Sequence, residues 1–168
     1  MCLSRLVSAG WYRGGRDKLF CEMSRDSRFS ISENMMHFMF DFPPVDRYDV
    51  DQIRLGDIRR YFEGRTTSLY ETPVYSLIAH DDEKAYRKYV SDNRDGVEDI
   101  EAVTDRDIER FRRTIASMMN DDYDIRKCAI VIDSNNVILD GMHRTCALLY
   151  RFGPTYKIPV VRVWQKLL

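Results

Sequence analysis

The sequence predicts a mixed α/β (α+β) fold, a small mixed sheet with helices packed around it. Three observations predict it. Two β-rich runs, Cys128–Asp133 and Val137–Leu139, flank the turn-forming Ser134-Asn135-Asn136 and read as a hairpin. Ile108, Phe111, Ile115 and Met118 recur at helical spacing. A last β-rich run, Ile158–Trp164, follows Gly153-Pro154, a helix-stopping pair.

Size and composition suit a folded domain of this kind. The chain has 168 residues, 44% of them hydrophobic, and 26 Lys+Arg against 27 Asp+Glu leave a formal net charge of -1. A domain of this length buries about 68–70% of its unfolded surface and needs no disulfide or metal to hold it. The charge balance argues against nucleic acid as a partner of the chain as a whole, since such domains carry a basic surplus. No apolar run approaches the ~20 residues that cross a bilayer, so no membrane partner is expected. The cysteines, at positions 2, 21, 128 and 146, form no CxxC pair and read as reduced thiols. With no secretory signal and no N-x-S/T sequon, the cytoplasm is the expected compartment.

Along the chain, residues 1–45 read as an N-terminal extension with about two strands, including the Met-rich run MMHFMFDF at 35–42 and ending in Pro43-Pro44. Residues 46–168 form the domain. Val50, Ile53 and Leu55 mark a short strand over 48–55, followed by a turn of helix at Asp57–Phe62. Asp81–Ser91, with acidic residues in its first turn and Tyr86, Tyr89 and Val90 along it, reads as an amphipathic helix. Thr104-Asp105-Arg106-Asp107 resembles a capping box and would start a helix ending near Asn120. The charged face of that helix, Arg106, Glu109, Arg110, Arg112 and Arg113, reads as solvated. His143–Phe152 has helix-forming composition, and Pro159 should sit at the start of the last strand or on an edge.

The informative segment is Leu139-Asp140-Gly141-Met142-His143-Arg144-Thr145-Cys146-Ala147, at a strand-to-helix junction. A helix start exposes backbone N–H groups and partial positive charge, which together make an anion site. His143 and Arg144 stand in that first turn, where the dipole disfavours cations. A bound phosphate resolves the conflict, with Arg144 forking onto its oxygens. Gly141 lets the backbone approach closely. Asp140 reads equally well as a turn or capping residue, and Arg144 as one half of an ion pair.

Residues 130–163, IVIDSNNVILDGMHRTCALLYRFGPTYKIPVVRV, resemble the core of the ParB/sulfiredoxin-like superfamily. Gly141, Arg144 and Ala147 match the GxxRxxA pattern of its ParB-type nucleotide-binding domains, and residues 140–144 match the DGxHR version of its enzyme-like members. Val50–Ile58 is similar to the family's early strand. The resemblance implies a compact fold with nucleotide phosphates over the helix that begins near Met142. Sulfiredoxins carry a cysteine just before the His-Arg pair, where this chain has Met142, so that activity is not expected. Cys146, one turn on, reads as a core thiol. ParB proteins continue into a DNA-binding helix-turn-helix, whereas this sequence stops four residues after Trp164. A third branch resembles free-serine kinases.

The expectation is therefore an ATP-binding or ADP-binding kinase-like phosphotransferase, with CTP as a further candidate, Mg²⁺ as cofactor, and a small hydroxylated or sugar-like acceptor of the kind found in bacterial polysaccharide metabolism. The alternatives are a non-catalytic CTP- or ATP-binding switch and a ParB-like DNA-associated protein. Phosphoryl transfer rests on positioning and charge stabilisation. Gly141, Met142, His143, Arg144 and Thr145 would hold the phosphates, through Arg144, the amides of 142–145 and the Thr145 hydroxyl. His143 would bond the transferring group, and Asp140 would orient Mg²⁺ or accept the acceptor's proton. Glu71 is the candidate second carboxylate, with Asp81 and Glu83 as alternatives. No GxxxxGKS/T, GxGxxG or HExxH motif occurs, and His37, His80 and His143 are widely spaced.

Overall fold

A computed structural model of the protein describes residues 16–32, 35, 45–62, 64–92 and 100–165. Helix α1 spans Arg16–Arg25 and strand β1 spans Val45–Arg54. A 3-10 turn, Leu55–Asp57, leads to the antiparallel pair β2, Arg59–Phe62, and β3, Arg65–Ser68. A second 3-10 turn, Leu69–Glu71, precedes three helices: α2, Pro73–His80; α3, Glu83–Asp92; and α4, Ile100–Asn120. The chain closes with β4, Val131–Ile132; β5, Ile138–Asp140; α5, Met142–Phe152; and β6, Lys157–Gln165. The fold is mixed α+β.

The main sheet has the order β1-β6-β4-β5. β6 runs antiparallel to β1, with Val50 opposite Val161 and Ile53 opposite Ile158, and parallel to β4, with Val131 opposite Val161. The expected hairpin is present as β4 and β5, and its return brings Asp140 opposite Val131. β2 meets the sheet at a single parallel bridge, Arg59 to Val137, with the Arg59 amide donating to Asn136 O at 2.9 Å. This contact carries Arg60 toward β5.

Strand periodicity sends side chains to opposite faces, and both faces are covered. Ile130, Ile132, Ile158 and Val160 join a core with Tyr86, Phe111, Leu148 and Leu149. Ala129, Val131, Val161 and Val163 join a second cluster with Met23, Phe29 and Met35. The stretch read as an extension thus supplies side chains to the second face. Of the run at 35–42 only Met35 is described; the rest of it, with Pro43 and Pro44, lies outside the described residues. Among the described residues no helix is long and apolar enough to cross a membrane.

Several expected elements shift. The helical turn expected at Asp57–Phe62 is instead strand β2, because Arg59–Phe62 pairs residue for residue with Arg65–Ser68. Thr72 Oγ1 accepts from the Tyr75 amide at 3.2 Å and Pro73 occupies the first turn, starting α2, a helix the periodicity did not mark. Asp81 terminates α2 in a left-handed conformation (φ 53), and Asp82 Oδ1 caps Ala85 N at 3.0 Å, so the next helix begins at Glu83 rather than at Asp81. Helix α4 begins at Ile100, so the capping-box reading of 104–107 does not hold. Residues 100–103, Ile-Glu-Ala-Val, extend the helix N-terminally and leave Asp107 about two turns inside it. Pro159 lies on an interior strand, yet only at its third residue, short of the Val161–Arg162 stretch that pairs with β4.

Leu148 is fully buried between α5 and the sheet. Leu148→Ala should lower the unfolding free energy by about 2–5 kcal/mol in urea titration, and a loss within experimental error would contradict this packing.

Candidate functional site

Strand β5 ends at Asp140, and the chain enters α5 through Gly141, whose φ is 91. A Cβ at this position would lie 2.9 Å from Ile130 Cγ1 and 3.1 Å from Arg144 Nη2. Glycine is therefore required twice, for the backbone conformation and for the close approach to Ile130 just ahead of β4. Among the described residues no side chain caps α5. Its start carries the partial positive charge of an open helix end.

This helix start forms part of a cleft of about 450 Å³, lined by residues 138–144, Arg60 of β2, Tyr86, Tyr89 and Val90 of α3, Asp107, Arg110 and Thr114 of α4, and Ser32. The volume lies within the range of small-ligand pockets. Asp140 bridges the cleft's two sides: Oδ1 accepts from the Gly141 amide at 2.7 Å and Oδ2 from the Ser32 hydroxyl at 2.6 Å. Arg144 Nη2 donates to Ala129 O at 3.0 Å and lies 3.7 Å from Asp140 Oδ2. Among the described residues, the Nε atoms of Arg144 and Arg60 are buried without a hydrogen-bond partner. Arg110 pairs with Asp107 at 3.2 Å. Among the described residues, three guanidinium groups stand against two carboxylates in the lining.

His143 stacks on Phe111, ring centroids 4.2 Å apart, and its Nε2 shares a 3.0 Å hydrogen bond with the Tyr86 hydroxyl. Burial pushes the imidazole pKa down to about 4, and the Arg110 and Arg144 charges act in the same direction. At neutral pH it is uncharged, which removes one of the two cations that opposed the dipole.

The structure brings Asp140, Gly141, Met142, His143 and Arg144 to one cleft. Thr145 is not part of the lining: it is fully buried, and its hydroxyl donates to Gly141 O at 2.9 Å, an internal bond of the helix's first turn. Glu71 stands away from the cleft on the second 3-10 turn, exposed and 3.4 Å from Arg65. Glu83 pairs with Arg87 and Arg112, and Asp81 with Arg112, so neither alternative supplies the carboxylate. Among the described residues the second carboxylate in the cleft is Asp107. The supposedly solvated face of α4 splits: Arg112 and Arg113 point to surface partners, while Arg110 enters the cleft. The spacing 107, 110 and 114 places these residues on one helical line beside the Ile108–Phe111 stripe, a signal the sequence carried. Arg60 reaches the cleft on β2, and no spacing in the sequence points there.

The Cys146 thiol is fully buried, and burial raises its pKa to about 12, so it is a core thiol without nucleophilic character. Among the described residues no group of three or more His, Cys, Asp or Glu side chains is placed to hold a metal ion. Nucleotide-bound Mg²⁺ needs only one or two carboxylates, with phosphates and water completing its shell. Asp140 fits that modest demand, since a carboxylate offers about four acceptor positions and Ser32 and Gly141 take two.

No family model, characterised protein or solved structure matches this chain.

Two outcomes follow from this geometry. Gly141→Ala should cost about 2–4 kcal/mol of stability in denaturant, from backbone strain and overpacking together. Gly64→Ala, at φ +77 but with open space around it, should cost the backbone part alone. Equal losses would contradict the close approach at Gly141. For His143, the unfolded chain takes up a proton near pH 6.5 that the folded protein refuses until about pH 4. Stability is thus full above pH 6.5 and falls as pH drops toward 4, by on the order of 3 kcal/mol. Urea midpoints at about pH 7 and about pH 4.5 should converge in His143→Gln relative to wild type; an unchanged difference would rule out His143 as the source.

Proposed function

We propose that the cleft binds the phosphates of a nucleotide, ATP or ADP, and that the protein is a phosphotransferase acting on a small hydroxylated or sugar-like acceptor. The observation that carries this reading is the pair of buried guanidinium Nε atoms, on Arg60 and Arg144, without partners among the described residues in a cleft built on an uncapped helix start. A buried donor left unsatisfied costs about 1–3 kcal/mol or more when charged. Phosphate oxygens are the acceptors suited to both guanidinium forks and helix amides. The resemblance of residues 139–147 to the phosphate-binding turn of the ParB/sulfiredoxin-like superfamily supports the same ligand.

In this reading Arg144 and the first amides of α5 hold the phosphates from below, and Arg60 and Arg110 close over them from β2 and from α4. His143, neutral and braced by Phe111 and Tyr86, borders the phosphates as a hydrogen-bonding group that adds no charge. Asp140 accepts the proton of the incoming hydroxyl. Bound Mg²⁺ would neutralise charge on the phosphates. A second reading, a nucleotide-dependent switch without turnover, is favoured by one observation: both Asp140 oxygens already hold hydrogen bonds.

Thermal-shift titration with ATP, ADP and CTP in Mg²⁺ separates binding from none, because a ligand selective for the folded state raises the melting temperature. Arg60→Ala and Arg110→Ala should each weaken binding roughly tenfold to hundredfold. Arg113→Ala, paired with Glu109 outside the cleft, should leave it unchanged. Affinity insensitive to Arg60 and Arg110 would overturn the site. Nucleotide turnover that Asp140→Asn abolishes would select the phosphotransferase; tight binding without turnover would select the switch.

A further inference from the structure

Ser32 comes from the chain ahead of β1, yet it reaches Asp140, at the strand-to-helix junction near the other end of the chain. Its hydroxyl donates to Asp140 Oδ2 at 2.6 Å and accepts from the Met35 amide at 3.1 Å. The other oxygen of that carboxylate accepts from the Gly141 amide, which directly precedes α5. The Ser32 oxygen therefore sits one carboxylate's width from the helix start, inside the cleft that Arg60, Arg110 and Arg144 line. A hydroxyl in a short hydrogen bond to a carboxylate is the arrangement by which an oxygen nucleophile is activated. As a structural contact alone, Ser32 would satisfy Asp140 and the Met35 amide. That role does not require a place in a cleft lined by arginines.

Resting on the nucleotide reading above, we infer that Ser32 is a phosphoacceptor and that the protein phosphorylates itself there. The Ser32 oxygen bonds to the terminal phosphorus of a bound nucleoside triphosphate. The bond from that phosphorus to the bridging oxygen breaks, and its electron pair leaves with the nucleoside diphosphate. The hydroxyl proton passes to Asp140 and then to solvent. The product carries a charge near -2, which Asp140 repels and the arginines and helix start attract. Phosphoserine at 32 thereby occupies the anion site itself, so the reaction ends after one transfer per chain and nucleotide affinity then falls.

The test incubates the full chain with ATP and Mg²⁺ and reads intact mass, peptide map and nucleotide binding together. One phosphoryl group should appear on Ser32 and be lost in Ser32→Ala. It should be retained in Ser32→Thr, which keeps a hydroxyl, and form at least about a hundredfold more slowly in Asp140→Asn. Mapping on the wild-type chain keeps the outcome readable even if Ser32→Ala folds poorly. Binding with turnover but no phosphate on Ser32, or labelling unchanged in Ser32→Ala, overturns the inference and leaves the proposed function standing. Absence of nucleotide binding removes both.

Discussion

The passage of the chain from β5 into α5 at Gly141 is the constraint on which the site depends. Because this residue lies against Ile130 with a positive φ, the helix starts directly beside the sheet, and its open amides and the Asp140 carboxylate stay together at the cleft. A side chain here would have to displace Ile130, a buried member of the main core just ahead of β4, or the Arg144 guanidinium. The same tight turn that closes the hydrophobic core therefore also sets the position of the polar groups above it.

Electrostatics in the cleft follow from how each cation is held. Arg144 is anchored through one nitrogen to Ala129 O, ahead of β4, while its Nε stays without a partner among the described residues. Arg60 arrives on a short strand attached to the sheet by one bridge, and Arg110 on a helix that packs its apolar stripe on the core. Three separate elements thus converge on one volume. His143 would add a fourth charge next to the dipole, but its stacking on Phe111 and its burial keep it neutral, so the concentration of like charge stays within what the fold tolerates.

Much of the C-terminal third was legible. Alternating apolar runs around Ser134-Asn135-Asn136, the helix after Gly141 and the strand after Gly153-Pro154 are local patterns, and local patterns survive folding because turn chemistry and side-chain periodicity act over a few residues. Five of the six phosphate-site and Asp140 positions read from that segment do line one cleft; Thr145 drops out because a helical threonine can bond back to the carbonyl four residues earlier. Glu71 failed for a different reason: nothing in spacing indicates which distant carboxylate faces a given turn.

By itself the sequence determined the mixed class, the hairpin, the last helix and strand, and the turn at which a helix start meets His143 and Arg144. Each follows from residue types a few positions apart. Only the tertiary structure decided that Ser32, Arg60, Asp107 and Arg110 stand around that turn and that Glu71 does not. Those positions depend on strand pairing and side-chain contacts between residues more than a hundred apart in sequence, as where Val50 stands opposite Val161 and where Ser32 bonds Asp140, and such contacts are selected by the whole core rather than by any local pattern.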